Sequence, residues 1–177
     1  MSREKSTTRD LALAGLMIAA GVVLHSFPPL LGGMKPDFAL IMLVLFALLR
    51  RDKKITIVAG LATGIVTALT TGFPGGQIPN IIDKILTTFV LMGLTMLPEG
   101  YVSTIITTIV GTLFSGGVFL GSALLLVGLP APFKALFTTI VLPAAVINTV
   151  AVVILYPIAV KLSKMLSPKV PVKINEA

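Results

Sequence analysis

Between Glu99 and Lys161 the chain carries a single charged side chain, Lys134, so one long stretch offers almost nothing to bulk water. Backbone polar groups in such a stretch must be satisfied internally, which in a bilayer leaves helices or closed barrels. Runs of apolar residues about 17 to 25 long read as spanning helices. Composition agrees, with 55% hydrophobic and 12% charged residues and a mean hydropathy of +1.03, whereas soluble domains are roughly 25% charged.

Six segments fit this pattern, at about 11–31, 34–49, 55–71, 81–97, 102–129 and 135–160. The apolar part of the second, 38–49, would rise only about 18 Å against a hydrocarbon core of about 30 Å. Its helix must therefore begin earlier, near Met34, or end within a protein-lined cavity. The fifth would reach about 42 Å if straight, so Ser115-Gly116-Gly117 is expected to bend or break it. A basic start precedes the first segment in the manner of a signal peptide, but no clear small-x-small cleavage site follows, and it reads as a permanent span.

The positive-inside rule sets the orientation. With both termini cytoplasmic, the inner side receives eleven Lys and Arg, including Arg50, Arg51, Lys53 and Lys54, and the outer side three, Lys35, Lys84 and Lys134. The expected fold is a single all-α integral membrane domain over 1–177, with six transmembrane helices. The three outer connections, 27–37, 71–80 and 128–133, are rich in proline and glycine, and function is expected on that face.

Several classes are excluded. The net charge of +7 is not displayed on a soluble surface, so nucleic acid is no partner. There is no cysteine and one histidine, no HExxH, no dinucleotide fingerprint and no P-loop. An enzyme is therefore not expected, neither cofactor nor metal is implied, and any ATP must be hydrolysed by another subunit.

The strongest polar cluster is split between Gly32-Gly33-Met34-Lys35-Pro36-Asp37 and Gly75-Gly76-Gln77-Ile78-Pro79-Asn80-Ile81-Ile82-Asp83-Lys84. Each part pairs a cation, an anion and a proline turn, and Gln77 and Asn80 both donate and accept hydrogen bonds. An amino-acid zwitterion, with one ammonium and one carboxylate, is the matching ligand. Pairing of Lys35, Asp37, Asp83 and Lys84 with one another or with lipid headgroups is the plain alternative. Phe27, Phe73 and Phe119 sit near outer ends and offer apolar ligand surface, and His25 lies one turn before Phe27. Asn148, deep in the last segment behind Pro143, must face protein or cavity, as interhelical glue or as ligand contact; Thr112 and Ser115 read the same way. Ala12, Gly15 and Ala19 form a small-residue face on the first segment, suited to close helix approach. The same spacing at Gly60 and Gly64 shows that it has no unique meaning.

The stretches His25-Ser26-Phe27-Pro28-Pro29, Gly32 to Asp37, Gln77 to Lys84, and Leu142-Pro143-Ala144-Ala145-Val146-Ile147-Asn148-Thr149 closely resemble the TrpP family of probable tryptophan transporters, across nearly the whole chain. That family looks like a substrate-specificity (S) component of energy-coupling factor (ECF) transporters. The resemblance implies a six-helix subunit of the bacterial cell membrane that captures a nutrient from outside. It further implies docking onto a module of one transmembrane scaffold protein and two ATPases, and toppling in the membrane to deliver the ligand. In that group the docking face is of Ala-x-x-x-Ala type, matched here by Gly15 and Ala19. For L-tryptophan, Phe27, Phe73, Gln77, Asn80 and Asn148 would meet the indole, Lys35 or Lys84 the carboxylate, and Asp37 or Asp83 the ammonium. A stand-alone ion-coupled transporter and a ligand-free structural membrane protein are the competing readings.

Overall fold

The computed structural model describes residues 2–25 and 37–166, with side chains at 8–24, 37–163 and 165. The described residues are helical, with no strand among them. Helix α1 covers Ser2–His25, α2 Phe38–Arg50, α3 Lys53–Leu69, α4 Gln77–Leu94 and α5 Tyr101–Leu126. Then α6 (Phe133–Leu136) passes through a π-helical turn at Phe137–Val141 into α7 (Leu142–Leu166) without interruption. Two helical stretches, Tyr101–Leu126 and Phe133–Ser163, are long and apolar enough to cross a membrane, and Phe38–Arg50 is a shorter apolar helix.

The short helix α2 is the core of the bundle. Asp37 caps its start by accepting from the Leu40 amide at 3.0 Å, so the helix begins at Phe38 and not near Met34. All positions from Ala39 to Leu49 except Met42 are buried; a helix apolar on every side must be surrounded. Helices α1, α3 and α7 pack around it, with Leu13, Ala14 and Met17 of α1, Ile55 and Ala59 of α3, Leu91 of α4, and Val152 and Val160 of α7 completing the cluster.

Helices α3 and α4 share the most extensive contact among the described helices. A Cβ on Gly60 would overlap the Thr88 hydroxyl, and Gly64 lies over Lys84 and Ile81. The spacing that seemed unspecific at Gly60 and Gly64 is thus a packing seam. In contrast Ala12, Gly15 and Ala19 are exposed on α1, and Gly15 has no neighbour within 4 Å of where a Cβ would stand.

Helix α5 overturns the expected break at Ser115-Gly116-Gly117, because it continues unbroken to Leu126. Glycine lowers helix propensity by about 1 kcal/mol in an exposed helix. Here Gly116 lies against the Val141 side chain and Gly117 against Phe137, so close packing across to the π-turn offsets that preference. The irregularity falls in the neighbouring segment instead. Pro143 has no N–H to give, and the Leu142 amide reaches back five residues to the Phe137 carbonyl, widening the turn ahead of the proline ring.

The end of the bundle carrying the α2–α3 turn is basic and tied together. Arg50 Nε meets Asp10 Oδ1 at 3.0 Å, joining α2 to α1. Arg51, in the left-handed conformation at φ 47°, donates to the Thr95 and Leu97 carbonyls at 2.9 Å each. It therefore closes the C-terminal turn of α4 with a cation where the helix dipole favours one.

Candidate functional site

At the opposite end, the start of α2, the α3–α4 connection, the middle of α5 and the π-turn enclose a cavity of about 420 Å³. That volume lies within the roughly 300–1,000 Å³ typical of small-molecule sites. Its polar side begins with Asp37, held at the N-terminus of α2 by its capping bond. Two turns of α4 then supply Asn80, Asp83 and Lys84, and α5 supplies Thr112 and Ser115. Asn148 enters from α7.

These groups form one hydrogen-bonded network. The Lys84 ammonium donates to Asp37 Oδ2 at 3.0 Å, Asp83 Oδ2 at 2.6 Å and Ser115 Oγ at 3.2 Å. Asp83 Oδ1 accepts from the Thr87 hydroxyl at 2.9 Å. The side chains of Lys84 and Asp83 are both 2% exposed, whereas that of Asp37 is 30% exposed. Only Asp37 of the three thus presents appreciable surface. The Asp37 amide donates to Asn148 Oδ1 at 3.0 Å, and Asn148 Nδ2 donates to Thr112 Oγ1 at 3.3 Å. Asn80 sends its own amide N–H back to the Gly76 carbonyl at 2.8 Å.

The apolar side is aromatic and aliphatic. Phe73 and Phe119 meet edge to face, with ring centroids 5.4 Å apart at 84°, and Leu136, Ile140 and Val141 of the π-turn region form the wall beside them. Flat aromatic surface at one end and paired ions at the other suit an amphipathic ligand with an apolar ring and a charged group.

The sequence-expected residues divide as follows. Asp37, Phe73, Asn80, Asp83, Lys84 and Asn148 line one cavity, although they come from four separate stretches of chain. Thr112, Ser115 and Phe119 line it as well. Gln77 does not: as the first residue of α4 it is exposed and is not part of the cavity lining. Phe27 and Lys35 lie outside the described residues, as does the His25 side chain. Thr71, Ile140 and Val141 were missed. The one available signal for the last two was Pro143, whose demand for a wider turn places irregular helix beside the site.

Residues 7–164 match the protein-family model described as "Tryptophan transporter TrpP". The chain belongs to the TrpP family. Among similar TrpP-type proteins, a "Probable tryptophan transport protein" of Bacillus subtilis (strain 168) is 50% identical over 155 residues, covering 85% of this chain and 90% of that protein. Proteins of the same description from Clostridium acetobutylicum and Clostridium perfringens are 51% and 41% identical. They cover 88% and 89% of this chain, and 93% and 94% of their own lengths. No solved structure matches.

Proposed function

We propose that this chain is a multi-pass subunit of the bacterial cell membrane that captures L-tryptophan, or a closely related small aromatic nutrient, in the cavity between α2, α4, α5 and α7. The observation that carries the reading is the two-sided cavity itself, with the Phe73–Phe119 pair facing the Asp37–Lys84–Asp83 network. Intramembrane ionisable groups are costly and mark substrate sites by default. Membership of the TrpP family supplies the substrate.

The six helical stretches cross the bilayer with both termini cytoplasmic. The cavity then opens outward, and the basic end held by Arg50 and Arg51 lies inside, as the distribution of Lys and Arg favours. Transport is driven by an ECF module, with a transmembrane scaffold subunit and two ATPases as partners. Ala12, Gly15 and Ala19 provide the docking face. Their exposure, and the free space above Gly15, support this role, because internal packing makes no use of them.

The test has two stages. The chain contains no tryptophan, so the indole fluorescence of added L-tryptophan reports binding to the purified protein in nanodiscs against a background of two tyrosines. Saturable binding without partners or ATP is expected; its absence would remove the substrate assignment. Reconstituted flux then separates the coupling schemes: uptake requiring ATP and the module is expected, while ion-driven uptake by the chain alone would replace the ECF reading.

A further inference from the structure

One wall of the cavity is built around the π-turn at Phe137–Val141. Residues four apart on a helix share a face, and Leu136, Ile140 and Ala144 line the cavity at that spacing. Val141 lines it too, although it directly follows Ile140. The wider turn explains this. Closed from Leu142 back to Phe137 over five residues, it rotates less per residue than an α-turn, so neighbouring side chains reach the same side.

Val141 is 4% exposed, and its methyl groups rest on the backbone of α5. A Cβ on Gly116 would stand 2.5 and 2.7 Å from them, well inside the roughly 3.5–4.0 Å at which carbon atoms meet. Gly116 lies one turn before Phe119 on the same face of α5. It is also next to Ser115, which accepts from Lys84 at 3.2 Å, while Phe119 meets Phe73 edge to face. Val141 therefore stands at the waist of the cavity, between its aromatic and its ionic ends.

Resting on the tryptophan-capture reading of this cavity, we infer that the Gly116–Val141 contact gauges the ring system of the ligand. Val141 is the specificity-determining side chain, and Gly116 is the position that gives it room. Any side chain at 116 would hold the π-turn off α5, so the two residues fix the width of the waist together. The site seats an unsubstituted fused two-ring side chain and refuses one that carries a further methyl group on the edge facing Val141.

The gauge is measurable with L-tryptophan and its derivatives methylated at each free carbon of the benzene ring, titrated by their own fluorescence against the full-length protein in nanodiscs. One carbon in a filled apolar pocket is worth about 10–200-fold in discrimination. The wild-type protein should therefore bind at least one derivative about tenfold or more weakly than L-tryptophan. In Val141→Ala that ratio should shrink about fivefold or more, because two methyl groups leave the wall. Adding Gly116→Ala to Val141→Ala puts a methyl group close to where those two stood, and the ratio should return to within about twofold of wild type. Each ratio is taken within one variant, so a general loss of stability cancels. Val141→Ala ratios within about twofold of wild type, or relaxed ratios that the second substitution leaves relaxed, would overturn the inference while leaving tryptophan capture standing. A wild-type protein that accepts every derivative as tightly as L-tryptophan would do the same. A wild-type protein that binds neither L-tryptophan nor any derivative would instead remove the capture reading.

Discussion

Replacing Lys84 by methionine keeps an unbranched apolar stem of similar length and deletes only the ammonium, so it isolates what that charge does for the fold. The lysine side chain is 2% exposed, as is its partner Asp83, so solvent screening does little to soften the loss. Removing one member of a buried ion pair costs about 3–5 kcal/mol, because the remaining charge is left without compensation. Here two carboxylates are left facing each other. Neutralising the inner one as well, in Asp83→Asn/Lys84→Met, should bring the cost down to about 1–2 kcal/mol, since the Asn side chain still accepts from Thr87 and only the partly exposed Asp37 keeps its charge. The cycle through Asp83→Asn alone should therefore show a coupling of about 2 kcal/mol or more, well above the scatter of about 0.5 kcal/mol for independent sites. Reversible unfolding in mixed micelles of a mild detergent and SDS, followed by circular dichroism, gives all four values. A Lys84→Met cost within about 1 kcal/mol of zero, or additive single changes, would show that the triad does not hold α2, α4 and α5 together and would undo the argument built on it.

Other outcomes follow from the same geometry. Gly60→Ala places a methyl group on the Thr88 hydroxyl and should cost about 1–3 kcal/mol by overpacking the α3–α4 seam, read in the same unfolding assay. Gly15→Leu meets no neighbour in the subunit, so unfolding and tryptophan binding should be unchanged while module-dependent uptake is lost; unchanged uptake would place docking elsewhere. Phe119→Ala removes the edge-to-face partner of Phe73 and should weaken L-tryptophan binding by about tenfold or more, measured by ligand fluorescence. Arg51→Ala releases the Thr95 and Leu97 carbonyls and should cost about 1–3 kcal/mol of stability without changing ligand affinity, since it acts at the far end of the bundle.

Much of the site could be read from residue type alone, because ionisable groups inside an apolar chain have few places to go. Asp37, Asp83 and Lys84 stood out for that reason. What composition could not decide was whether they pair with one another or wait for a ligand, and the structure has them paired while lining a cavity. Gln77 and Asn80 share one helix face, as residues three apart do, but Gln77 stands exposed at the very first position of α4 while Asn80, a turn deeper, lines the cavity. The continuity of α5 was hidden because local propensity at Ser115-Gly116-Gly117 argues for a break, whereas the decisive contact, Gly116 on Val141, spans distant parts of the chain. For helix α2 the sequence left a choice that only packing could make. Its length left a start near Met34 or an end within a protein-lined cavity, and the structure has the second: Asp37 caps the helix by accepting from the Leu40 amide, and both residues line the cavity.

That capping bond makes Asp37 a point of contact between the cavity and the backbone. One carboxylate oxygen holds the first turn of α2 and the other holds Lys84, while the residue's own amide is anchored on α7 through Asn148. On the tryptophan-capture reading, a ligand that touches this carboxylate loads the end of a helix that is otherwise sealed in the core. Deuterium uptake at the Leu40 and Asp37 amides becomes a natural gauge of occupancy, slowing on ligand binding while the buried amides farther along α2 stay as they were.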